Sequence, residues 1–252
     1  MADHHPTPTT SPSLRCHKRA TMLAFALILP LGACGTMNAA RPLAPGEHAM
    51  GLTFGGAMVD LGAPIPLPNL VVEGRHGLAP VAGKPFDVHY GLNLTALGFG
   101  AAVIHGGAAW QFLDGEGARP ALTLADRAFF VDNHLNLGRV PEARAFYALN
   151  QLDLLASWEI NRTLVYTGVS DVFDPWQPSL LVAPILGAEV GLGKTRKTRL
   201  QLEVRDQGIF REPQTTAIPW VSTGRGALSV TFGANFRFGG SSEPSSLEPE
   251  AK

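Results

Sequence analysis

Asp87 and His89 are separated by a single residue, so in an extended chain a carboxylate and an imidazole fall on one face, the arrangement in which an acid orients a general base. His105 shares a face with Gln111, but no serine near either stands in a recognisable nucleophile setting. Gly191-Leu192-Gly193-Lys194 has glycines and a lysine without the spacing of a phosphate loop. Neither it nor Gly98-Phe99-Gly100 is followed by a predicted helix, and strand glycines that relieve crowding explain both. The histidines are scattered, so no metal site is expected and no cofactor is implied. The chain is therefore read as having no catalytic residues, with Asp87 and His89 as polar groups lining an interior.

The elements that carry these residues are strands. Period-two alternation dominates from His48 onward, and no window shows a helical stripe. Leu200, Leu202 and Val204 alternate with Arg199, Gln201, Glu203 and Arg205. Leu228, Val230, Phe232, Ala234, Phe236 and Phe238 fall on one side of the last strand, and Leu152, Leu154, Ala156, Trp158 and Ile160 do the same in mid-chain. Strands are predicted over 48–59, 69–76, 86–95, 101–113, 121–131, 145–160, 163–171, 180–192, 198–207 and 226–238. The fold class is all-β, an antiparallel up-and-down β-barrel of about ten strands (8–12). Asp114 to Gly117, Asn161-Arg162 and Lys194 to Lys197 read as short turns, whereas 132–144, 172–179 and 208–225 are longer. This alternation places both ends of the barrel sequence on the short-turn side.

Alternation alone does not say which face meets water. The chain is 45% hydrophobic and 16% charged, with five lysines in 252 residues, too few for a conventional aqueous surface. Its formal net charge of −1 gives no electrostatic case for nucleic acid. On the strands, Glu73, Asp153, Glu159, Glu189 and Glu203 stand against Arg75, Arg127, Arg199, Arg205 and Arg237 on the polar face. Small residues with balanced, arginine-rich charge suit a crowded lumen in which charges must pair. The apolar face is thus expected to meet lipid, with Trp110, Phe112, Trp158 and Tyr166 as candidates for aromatic girdles.

The N-terminus has a polar stretch bearing Arg15, Lys18 and Arg19, then an apolar run from Met22 to Ala33, the order of a secretory signal. Leu31-Gly32-Ala33-Cys34 resembles the lipobox of bacterial lipoproteins, which implies cleavage before Cys34 and lipid on that cysteine. Gly35 in place of Asp resembles the pattern sorted to the outer membrane. The organisation predicted is a signal peptide over 1–33, a lipidated cysteine and flexible tether over 34–47, a barrel over 48–238 and a disordered tail over 239–252. Phe236-Arg237-Phe238 resembles the aromatic-ended last strand of outer-membrane barrels, with the departure that a tail follows it.

Asp87-x-His89 resembles the Asp-x-His element of outer-membrane aspartyl proteases of the omptin family, but the paired Asp-x-Asp of that family is missing. The function expected is an outer-membrane β-barrel lipoprotein with a structural, interaction or limited small-molecule passage role. Outer-membrane lipid is its surroundings, and an open porin is excluded by a filled interior. The alternatives are a lipid-anchored soluble barrel binding an apolar ligand, and an outer-membrane hydrolase. Trp220, in the longest loop, is the candidate for contact with an extracellular or periplasmic protein partner.

Overall fold

The structure, a computed structural model, describes residues 36–133, 146–173, 175, 180–209, 220–222 and 224–240. The strands are β1 (Glu47–Asp60), β2 (Pro64–Pro66), β3 (Asn69–Gly77), β4 (Phe86–Asn93), β5 (Ala102–Leu113), β6 (Ala121–Asp132), β7 (Phe146–Ile160), β8 (Thr163–Phe173), β9 (Leu180–Leu192), β10 (Thr198–Gln207) and β11 (Ala227–Gly239). Apart from β2, each strand pairs antiparallel with its neighbours in sequence, and β1 pairs with β11 from Glu47↔Gly239 to Ala57↔Ser229. The result is a closed barrel of ten strands with β2 as an added strand on the far end of β1.

Closure removes the exposed edges that an open sheet would present, and it forces the strands to tilt. The tilt shows in the register. Partners traced from Met50 through Gly74, Tyr90, Gly106, Ala128, Asn150 and Phe173 reach Leu180, so the path climbs from near one end of β1 to the opposite end of β9.

The two ends of the barrel differ as the turn chemistry requires. One end collects the tight connections, which contain Asn161, Gly193 and Arg196 at φ 59°, 70° and 50°. Two-residue reversals bridged by Val81–Lys84 and Glu116–Arg119 complete that end, where β1 begins and β11 stops. The contrast extends to the first half of the chain. Residues 78–85 form a tight reversal, and Lys84 reaches across to Asp114 of the next turn. That hydrogen bond holds the exposed Asp114 carboxyl below the usual carboxylate range.

The predicted strand over 86–95 ends early. Asn93 turns its side chain back to accept from Ala96 N at 2.9 Å and caps a short helix, α1 (Leu94–Gly98). A helix of this length carries too few residues for its period to show in sequence. Its Ala96 packs inward with Ala101, Val103, Val131 and Tyr147, an apolar plug of side chains near the long-loop end of the bore.

Gly55 has φ +135°, and a side chain there would collide with the Val230 backbone of β11. Only glycine fits this point of the β1–β11 seam. Gly55→Val is expected to cost about 1–3 kcal/mol, read as a lower temperature for loss of heat-resistant migration on gels. Unchanged migration would mean that the seam relaxes freely.

Candidate functional site

The lumen is where chemistry-bearing side chains converge. Along β10 the alternation resolves cleanly: Leu200 and Leu202 are 48% and 43% exposed on the outside, while Glu203 and Arg205 are 1% and 3% exposed inside. The polar face therefore points inward. Of the charged residues predicted to share it, Glu73, Arg75, Arg127, Asp153, Glu189, Glu203 and Arg205 are buried, and Arg199 and Arg237 are half-buried. Glu159 sits at the short-turn rim, half-exposed.

The charges form three groups. At the short-turn end, Glu189 of β9 accepts from Arg199 and from Arg237, and Arg237 also lies 3.6 Å from Glu47. Across β1 from Arg237, Arg75 of β3 donates to Asp87 of β4 at 2.5 Å. In the middle, Arg205 donates to Glu203, whose other oxygen accepts from Tyr166 Oη at 2.8 Å. Gln201 also donates to Tyr166 Oη at 2.8 Å. Tyr166 is thus fully buried in the lumen and does not belong to an outer girdle. Its ring lies over Gly187, where any side chain would occupy the space the ring takes. Trp110 and Trp158 do face outward at the short-turn end, donating to Val81 O and Ala118 O.

The principal departure from the sequence reading is residues 36–46. Expected as a flexible tether, this segment runs through the lumen. Thr36, Met37, Asn38, Ala39, Ala40 and Leu43 are buried. Arg127 donates to Thr36 Oγ1 at 2.6 Å and to Met37 O at 3.0 Å, and Arg205 to Thr36 O at 2.6 Å. Gln201 donates to Asn38 O, Thr123 to Ala40 O and Arg75 to Arg41 O, at 2.8, 3.0 and 2.8 Å. In return, Asn38 N donates to Glu203 at 3.2 Å and Leu43 N to Asp87 at 2.9 Å. Arg41 reaches Glu159 at the rim.

The order of these contacts fixes the path. Arg205 and Arg127 lie toward the middle of the barrel or beyond, Gln201 and Thr123 lower, and Arg75, Glu159 and Asp87 near the short turns. The segment descends from mid-lumen to the short-turn rim, then reverses through Ala44–Glu47 hydrogen bonds into β1. Small residues make it fit: Ala39 packs between Ala109 and Ala125, Ala40 among Leu155, Leu164, Tyr166 and Ile185. Met37 occupies the space over Gly233 of β11, which a side chain there would take.

The hydrolase geometry does not form. Asp87 is committed to Arg75 and Leu43 N, and both ring nitrogens of His89 lack a hydrogen-bond partner, so no acid–base pair joins them. His89 and His105 instead lie over Gly107 and Gly91 of facing strands, and His105 Nε2 is 3.5 Å from Glu73. Among the described residues, no group of three or more His, Cys, Asp or Glu could hold a metal ion. Trp220 is half-buried and bridged to Val59 at the far end of β1; residues 210–219 and 223 of its loop lie outside the described residues. So do Cys34, the signal peptide predicted over 1–33, and residues 241–252 of the predicted tail.

The lumen residues that sequence reasoning missed are those of the segment itself with Thr123, and Tyr166 was placed on the wrong face. Thr123 sits at an inward position of the strand alternation. Residues 36–46 carry no periodicity that could have placed them inside.

No family model matches the chain, and no curated protein matches it. Among solved structures, an outer membrane channel from Pseudomonas putida F1 is similar over 81% of this chain and 99% of that chain, at 11% identity and a TM-score of 0.47.

Arg205→Leu would strand the Glu203 carboxylate and remove the donor to Thr36 O. Breaking a buried pair from one side costs about 3–5 kcal/mol, so a large drop in thermal unfolding temperature is expected. A melt identical to wild type would show that the lumen network does not support the fold.

Proposed function

We propose that this chain is an outer-membrane β-barrel lipoprotein, anchored through lipid on Cys34, with its short turns and both barrel ends toward the periplasm. Its role is structural, interactive or one of restricted small-molecule passage, without catalysis. The observation that carries the membrane reading is the sidedness of the wall. Outside stand Met50, Leu52, Phe54, Leu154, Leu186, Leu202, Phe232 and Phe236, each well exposed. Inside stand paired charges. A soluble barrel holding an apolar ligand needs the reverse arrangement. Contiguous exposure on this scale is rare in water and is what lipid covers.

No described helix is long and apolar enough to cross a membrane, so crossing would be by strands. Trp110, Trp158, Tyr90 and the His48–His76 pair face outward toward the short-turn end, His76 hydrogen-bonding Tyr90 Oη at 2.9 Å. Amphipathic rings of this kind suit a membrane–water interface. The absence of catalysis is supported by the uncoupled Asp87 and His89; if a hydrolytic activity is found, its survival in Asp87→Ala and His89→Ala would exclude this pair from it.

Leu202→Arg places a charge at the middle of the outer face of β10. In lipid this is expected to cost about 2–4 kcal/mol, measured by unfolding of the barrel in phospholipid bilayers. A variant starting after Cys34 that stays monomeric in plain buffer would overturn the membrane reading. Mass spectrometry of the mature protein tests the anchor: an unmodified Cys34 would overturn it without touching the barrel.

A further inference from the structure

The contacts between the lumen and residues 36–43 are one-sided in kind. The wall supplies donors from Arg127 Nη1 and Nη2, Arg205 Nη2, Arg75 Nη2, Gln201 Nε2 and Thr123 Oγ1, and the segment supplies carbonyl oxygens and one hydroxyl. Only Asn38 N and Leu43 N donate the other way from its backbone, both to carboxylates that keep other partners when the segment is absent: Glu203 with Arg205 and Tyr166, Asp87 with Arg75. Arg127 is different. Among the described residues it makes no ion pair, and both terminal nitrogens are spent on Thr36 and Met37. Removing the segment takes both hydrogen-bond partners from its terminal nitrogens, within electrostatic reach of Glu73, Asp153 and Glu203, and frees donors on Arg205 and Gln201.

An unsatisfied buried cation is costly. Whatever replaces the segment must therefore be rich in acceptors, and a carboxylate or phosphate fits a planar guanidinium best. The segment is also built to leave. Most of its wall hydrogen bonds are to backbone atoms, the side chains of Ala39 and Ala40 at its middle are small, and it joins β1 through the reversal at Ala44–Glu47. The wall of β1 and β11 beside it carries small inward groups, among them Thr53, Ala57, Ser229 and Thr231. Withdrawal would extend a bore along that side, past the apolar cluster of Val103, Val131 and Tyr147 on the β5–β7 wall.

We propose that residues 36–43 are a removable stopper that occupies a solute site for small carboxylate- or phosphate-bearing anions, with Arg127 as its central ligand and Arg205 and Gln201 beside it. This rests on the barrel being membrane-spanning. The test compares the full chain with a variant lacking residues 36–43 in planar phospholipid bilayers under a KCl gradient. The deletion is expected to raise single-channel conductance severalfold and to shift the reversal potential toward chloride. Inorganic phosphate should reduce that chloride current by occupying the site. A synthetic peptide of residues 36–46 should restore the closed state.

In the deletion background Arg127→Ala should abolish both the anion preference and the phosphate block while leaving an open bore. Where the deletion fails to fold, Ala40→Trp in the full chain expels the stopper sterically and should raise conductance likewise. Failure of the full chain to insert, with no heat-modifiable band, counts against the membrane reading. Insertion with unchanged conductance in both opened variants, or an open bore whose selectivity and phosphate response ignore Arg127, overturns the stopper proposal alone.

Discussion

Three guanidinium groups, those of Arg75, Arg127 and Arg205, stand inside a closed wall from which they cannot reach bulk water along the strand face. A buried cation must be hydrogen-bonded where it stands. Asp87 and Glu203 bond two of them, and carbonyls of residues 36–41 add a bond to each of the three. The rest of the interior arrangement follows from that requirement. Glycine at 187 and 233 makes room for Tyr166 and Met37, alanine at 39 and 40 lets the backbone come close to both walls, and the barrel bore is filled from its middle to its short-turn end.

The same two-residue period that collects charges inside sends Leu200, Leu202, Phe232 and Phe236 outward. A slip of one residue in any pairing would reverse the faces of that strand. The β1–β11 seam guards against slippage at Gly55, where the close approach of Val230 accepts no side chain. Polar sealing inside and apolar covering outside are therefore one constraint expressed on two faces.

Much of this was readable in the residues. Alternation located the ten barrel strands, because each strand is two-sided and long enough to show its period. The lumen charges were readable for the same reason, and low lysine content pointed to the orientation of the wall. What could not be read was anything set by a contact between distant segments. Thr36 to Leu43 has the composition of a tether, and its place inside depends on Arg127, Gln201 and Arg205, far along the chain. Tyr166 looked like a girdle residue because an aromatic near a strand end suits either face; only its register against Gly187 sends it inward. The cap at Asn93 that makes α1 is a local feature hidden by the apolar run after it.

The descent of residues 36–46 through the lumen bears on how the molecule can be tethered. Thr36 is held by Arg127 and Arg205 well inside the barrel, and two residues of chain span at most about 7 Å. A lipid carried on Cys34 could then move no farther than that from Thr36 unless Thr36 gave up its place. The anchor proposed at that cysteine and the seated segment would therefore compete, so a chain whose Cys34 is free is the one expected to keep its bore filled.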